Sequence, residues 1–159
     1  VTNDNRKFYF PKIRVRVAGV FVRDSRILLV KHRKARREYY LLPGGGQEPG
    51  ESMTETLVRE WKEELSLDIE PGEFLFMGES VPPKNLKKSQ VVQITFSVRS
   101  TRGKIHVKPD EALFGFEWVP MDNFLSIPFF PACQSQIMTV LSDKKKGDAV
   151  SYSRYEWIK

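Results

Sequence analysis

The stretch Gly45–Leu67, GGQEPGESMTETLVREWKEELSL, decides how the rest of the chain is read. From Glu51 to Leu65, apolar residues recur every four positions at Met53, Leu57, Trp61 and Leu65, with Val58 widening the stripe. That spacing predicts an amphipathic helix. On a wheel of roughly 100° per residue, Thr54, Leu57, Val58, Trp61 and Leu65 fill one arc and Glu60, Glu63 and Glu64 fill the next. The glutamates are i,i+3 and i,i+4 neighbours, and each like-charge contact costs about 0.2–0.5 kcal/mol even when exposed. They also stand toward the helix C-terminus, where the dipole disfavours anions. Arg59 precedes Glu63 by one turn and relieves one of the charges. A solvated acidic face is the bland reading. Two features weigh against it: the glutamates adjoin the apolar arc, and a glycine-rich loop runs directly into the helix. A divalent cation among the carboxylates would remove the repulsion, and an all-oxygen shell is the kind that Mg²⁺ or Mn²⁺ prefers.

Working outward, Lys12–Val22 (KIRVRVAGVFV) alternates and then turns continuously apolar, as a strand entering a core does. RDSR is a turn, RILLVKH its returning strand, and EYYLLPGGG a short strand ending in a Pro-Gly loop. After the helix, which must end before Pro71-Gly72, EFLFMGES, QVVQITFSVRS and FGFEWVP read as strands and IHV as a short returning one. Pro131 is suited to the first turn of a closing helix carrying Ile137, Met138, Val140 and Leu141. DKKKG supplies that helix's end, its cations favoured by the dipole and Gly147 as the stop. Strands on both sides of a central helix predict an α/β layered domain with a mixed sheet.

The 159 residues suit a single domain, 1–159, able to bury its own core. Its net charge of +6 admits nucleic acid, a membrane surface or an anionic small substrate, besides plain solubility. No apolar run approaches the roughly 18 residues of a membrane span, and no signal peptide is visible. Val1 in place of Met suggests a trimmed start. Cys133 is the one cysteine. It cannot form an internal disulfide, which fits a reducing compartment such as the cytoplasm.

These residues resemble the Nudix hydrolase family, whose box reads G-x5-E-x7-R-E-U-x-E-E-x-G-U with U a bulky aliphatic. Gly45, Glu51, Arg59-Glu60 and Glu63-Glu64 match it at the right spacing. Trp61 stands where an aliphatic is usual, and Ser66 replaces the closing glycine. The resemblance implies an α/β/α sandwich with a mixed β-sheet, and hydrolysis of a nucleoside diphosphate linked to another moiety. It implies that Glu60, Glu63 and Glu64, with the Gly45 carbonyl, bind Mg²⁺ or Mn²⁺. Arg59 would orient the glutamates and Glu51 would brace the loop. Many relatives pair, so a homodimer is admitted.

The proton acceptor is left among Glu64, Glu60 and Glu111. Glu111 precedes Trp118 by seven residues, near where the family places a further loop carboxylate, with Asp110 and Glu117 as weaker competitors. Arg33, Arg36 and Arg37 feed toward the glycine loop, and Arg forks match phosphate oxygens. A charged surface loop explains them equally well. Tyr39 and Tyr40 are candidates to stack on a base. Pro83, sixteen residues after Leu67, resembles a marker of the ADP-ribose pyrophosphatase subgroup. The expected substrate is therefore a small nucleotide, ADP-ribose or a related nucleoside diphosphate sugar first. Nucleoside triphosphates, dinucleoside polyphosphates, capped RNA ends and a non-catalytic nucleotide-binding module are the alternatives, RNA being disfavoured by the lack of a large separate basic domain. The lack of aromatic–basic interleaving argues against a nucleic-acid binder.

Overall fold

The computed structural model describes residues 12–83, 86, 88–142 and 151–157. The continuous apolar runs of the first strands are explained by burial on both faces, because alternate residues serve different cores. In β1 (Arg14–Val20), Val17 joins one core while Ala18 and Val20 join the other. In β3 (Arg26–Lys34), Leu28 and Val30 face the first core and Ile27 and Leu29 the second. Between them, β2 (Val22–Arg23) turns into β3 through Asp24 and Ser25, both at positive φ. Next come β4 (Arg37–Leu41), β5 (Gly44–Gly46), α1 (Met53–Leu65), β6 (Asp68–Ser80), β7 (Val91–Arg102) and β8 (Leu113–Pro120). A 3-10 turn (Met121–Ser126), α2 (Gln134–Ser142) and β9 (Ser151–Tyr155) follow.

The strands divide into two sheets. One is mixed, in the order β5-β1-β7-β6-β9, with β1 and β7 parallel. The other is antiparallel, with β2, β4 and β8 all paired to β3. Leu57, Trp61 and Leu65 of α1 press on Val17, Leu28 and Val30 from one side. Ile137 of α2, with Cys133 and Phe124, presses on Ala18, Leu29 and Phe76 from the other. The result is an α/β/α sandwich with the sheets as its middle layer. Among the described residues, no helix is long and apolar enough to cross a membrane.

Several local expectations are corrected. Helix α1 begins at Met53, because Ser52 and Glu55 form a capping box that fixes its N-terminus. Met53, Thr54 and Val58 are exposed and Thr56 is buried, so the buried stripe is narrower than the wheel implied and includes a polar residue. The glycines 44–46 are not a loop but a strand, pairing antiparallel with β1. Pro71 and Gly72 lie inside β6, where its register against β7 shifts. Ile105–Val107 makes no strand. Helix α2 starts at Gln134, leaving Pro131 outside it. The expected end of that helix at 143–147 lies outside the described residues.

Candidate active site

Strand β5 brings bare backbone against the acidic edge of α1. Gly44 has φ +144°, and a Cβ there would collide with the Val17 carbonyl of β1. A Cβ on Gly45 would land on the Glu60 carboxylate. Only glycine permits this approach. The Gly44 N–H donates to Glu64 Oε2 at 2.9 Å. Glu60 and Glu64 therefore face the glycine strand together. Glu63 stays further out, its side chain 60% exposed.

Arg59 holds the edge in place. Its Nε and Nη2 donate to the two carboxylate oxygens of Glu51 at 2.6 and 3.0 Å. Nη2 also donates to the Gly46 carbonyl at 3.0 Å. Its Nη1 reaches Glu60 at 2.8 Å and Glu63 at 3.3 Å. Glu51 further accepts from the Thr56 hydroxyl at 2.8 Å and the Glu48 N–H at 3.2 Å. The Arg59 guanidinium, with these donors, holds the Glu51 carboxyl down at about 2. These contacts tie the 46–51 loop to the helix.

The charge balance differs from the sequence expectation. Arg59 serves three glutamates rather than one. A second arginine, Arg16 of β1, acts on Glu64 and Glu60 from below. Arg16 donates to the carbonyls of Leu42 at 2.7 Å and Gly44 at 2.9 Å, and to Gln93 Oε1 at 2.9 Å. Local sequence pattern does not reveal it, because its partners lie 26 to 77 residues away. Burial nonetheless dominates at Glu64 and pushes its carboxyl up to about 7, against the pull of Arg16 and of the Gly44 N–H.

The donor chemistry fits a hard dication: the acidic side chains that meet the glycine strand, Glu60 and Glu64, offer oxygens, and the bare Gly45 lets the Glu60 carboxylate come up to the backbone. Among the described residues, no three acidic, imidazole or thiol side chains already form a cage. Glu60 and Glu63 would exchange Arg59 contacts for the ion.

The remaining predicted residues are spread out. Glu111 is exposed on the bend before β8. Asp110 beside it caps that bend, accepting from the N–H groups of Ala112 and Leu113 at 2.7 Å each. Its charge acts on Glu64 and His32. Glu117 accepts from the Tyr40 hydroxyl at 2.7 Å and pairs with Lys31 at 3.4 Å. Arg33 pairs with Glu38 and lies over the Phe114 ring at 4.6 Å. Arg36 sits in the β3–β4 turn at positive φ, and Arg37 opens β4. Tyr39 packs on His32. Pro83 lines a separate groove of about 460 Å³ with Pro82, Arg154, Tyr155 and Trp157.

The two departures from the box have local explanations. Trp61 is fully buried and its Nε1 donates to the Pro43 carbonyl at 3.2 Å. Ser66 takes the left-handed C-cap conformation, φ 60° and ψ 23°, that a glycine would adopt freely. Its hydroxyl donates to the His106 carbonyl at 2.9 Å.

The fold is thus an α/β/α sandwich whose acidic helix edge, through Glu60 and Glu64, faces a glycine strand. The sequence model of the NUDIX domain matches residues 13–139, and the chain belongs to that family. It is similar to an ADP-ribose pyrophosphatase of Methanocaldococcus jannaschii, 32% identical over 60% of this chain and 56% of that protein. It is also similar to an NAD-capped RNA hydrolase of Stutzerimonas stutzeri, 26% identical over 80% of this chain and 42% of that protein. The chain thus spans about half the length of these curated relatives. A mutator MutT protein of Bacillus halodurans shares the fold, with a TM-score of 0.73 at 23% identity, covering 91% of this chain and 90% of that one.

Proposed function

We propose that the chain is a divalent-metal-dependent pyrophosphohydrolase acting on a nucleoside diphosphate linked to another moiety, with ADP-ribose or a related nucleoside diphosphate sugar as leading substrate. The observation that carries this reading is the close approach of Glu60 and Glu64 to the backbone of Gly44 and Gly45. Glu60, Glu63 and Glu64, with the Gly45 carbonyl, are the proposed ligands of Mg²⁺ or Mn²⁺. Such an ion polarises phosphoryl oxygens and lowers the pKa of bound water. Arg59 keeps the ligand edge in register with the loop through Glu51. Of the candidate proton acceptors Glu64, Glu60 and Glu111, Glu64 is the one proposed, and the burial that raises its metal-free carboxyl to about 7 supports it. Arg33 and Arg37 are the proposed phosphate contacts, and Pro83 is the proposed substrate-side residue that resembles the ADP-ribose pyrophosphatase marker. The archaeal relative's name supports ADP-ribose.

A panel of ADP-ribose, nucleoside diphosphate sugars, nucleoside triphosphates, dinucleoside polyphosphates and NAD-capped RNA, read by product chromatography and by phosphate release coupled to an added phosphatase, with Mg²⁺ or Mn²⁺, tests the reading. ADP-ribose yielding AMP and ribose 5-phosphate is the expected outcome. Inertness toward every member, with nucleotide still binding, would establish the non-catalytic alternative.

A further inference from the structure

One peptide group in this site is held at both ends. The Pro43–Gly44 peptide offers its N–H to Glu64 Oε2 at 2.9 Å. Its carbonyl accepts from the Trp61 indole at 3.2 Å and from the Gly19 N–H at 3.0 Å. The peptides on either side of it are also held, because Arg16 Nη2 donates to the Leu42 and Gly44 carbonyls at 2.7 and 2.9 Å. Gln93, itself 1% exposed, holds the other arm of the guanidinium at 2.9 Å. Gly44 has no side chain to fix its orientation and sits at φ +144°. The direction of its N–H is therefore set by what grips the neighbouring backbone.

We propose that Arg16 and Trp61 are positioning residues that fix the Pro43–Gly44 peptide and thereby aim Glu64; this deepens the hydrolase reading and rests on it. Trp61 is where this chain departs from the aliphatic residue usual in the box, and an aliphatic side chain has no N–H for the Pro43 carbonyl. Arg16 brings a rigid fork that meets two carbonyls from one nitrogen and a side-chain amide from the other. A lysine ammonium keeps the charge but not that geometry. Partners that orient a ligand typically govern affinity by about 10- to 100-fold when removed.

The test uses Trp61→Phe, which keeps an aromatic ring and deletes the indole N–H, and Arg16→Lys, which keeps the charge. Three quantities are read on each: hydrogen exchange of the Gly44 amide, Mn²⁺ affinity by electron paramagnetic resonance without substrate, and kcat against KM. Both variants are expected to fold with faster Gly44 exchange and Mn²⁺ affinity reduced about 10-fold or more. Turnover should lose kcat with KM changed by no more than about threefold. Unchanged Gly44 exchange and Mn²⁺ affinity in both folded variants overturns the proposal, as does a loss confined to KM. If Arg16→Lys does not fold, Trp61→Phe decides alone. A wild-type chain inert toward the whole substrate panel removes the hydrolase reading, while exchange and Mn²⁺ affinity still judge the positioning.

Discussion

At Glu64, burial drives the carboxyl up to about 7 from an ordinary 4.5, although Arg16 and the Gly44 N–H pull it down. Without metal, the folded chain binds more protons at this site than the unfolded chain between those two values. Stability therefore falls as pH rises through that window. The penalty is fully present above about 7 and amounts to roughly 3 kcal/mol at 1.36 kcal/mol per unit. His32, lowered mainly by burial, gives the opposite slope nearby, so the comparison must be made against a variant. In EDTA, Glu64→Gln should be more stable than wild type at pH 8 by up to about 3 kcal/mol, and the gap should close near pH 4.5, as read by urea unfolding. The same variant should lose about 10²–10⁴ in kcat, as befits a group that moves a proton. A gap that does not change with pH would show that Glu64 is already ionised in the folded chain. Glu51, held at about 2 chiefly by Arg59, acts the other way, its stabilisation lost only as pH falls below the ordinary carboxyl range. Ser66 offers an independent check at this scale. Its left-handed backbone should make Ser66→Val cost about 2 kcal/mol in thermal unfolding, with the hydroxyl bond to His106 a smaller part.

Among the elements, α1 and β5 owe their existence to different signals. The helix was legible from its period and charge, while the cap that sets its start was not read: Ser52 accepts from the Glu55 N–H and Glu55 accepts from the Ser52 N–H. Ser52→Ala should lower stability by about 1 kcal/mol, read as a shift in the urea midpoint at constant slope. Strand β5 was not legible, because Gly-Gly-Gly has no β propensity and its pairing is dictated by β1, nearly thirty residues earlier. Strand β9 escaped for the same reason, since SYSRY pairs with β6 far back in the chain. The opposite error at Ile105–Val107 came from trusting alternation over three residues, too few to outweigh tertiary context. Gly45→Ala tests whether β5 matters as an open backbone rather than as a strand. Alanine pairs with Val17 as well as glycine does, yet its methyl occupies the Glu60 carboxylate position. The variant should retain its far-UV spectrum while Mn²⁺ affinity drops by about tenfold or more, since Glu60 must swing away.

For the whole molecule, the layering decides what the site can be. Glu60 and Glu64 lie where the α1 layer meets the mixed sheet, so the site is built from β1, β5 and α1 at once. The box residues were readable because they follow one another in a single short stretch, from strand β5 through a loop into α1; the Arg16 contribution was not, because it exists only after the sheet has formed. Two physical accounts of the +6 charge now part. If it serves nucleic acid generally, binding to unrelated duplex DNA should be tight and fall steeply with salt. If the chain works on a small nucleotide through a dication, the native state should instead be stabilised by that ion. At about 100 times its dissociation constant, a ligand specific to the native state adds about 2.7 kcal/mol. In a chain of this length that raises Tm by roughly 5–11 °C. The rise should be larger at pH 8 than at pH 6, because protons and the ion compete for Glu64, and it should largely vanish in Glu64→Gln. Differential scanning calorimetry with Mg²⁺ or Mn²⁺ at the two pH values measures it. An equal rise in wild type and Glu64→Gln would place the ion elsewhere on the protein and separate the acidic helix edge from the chemistry assigned to it.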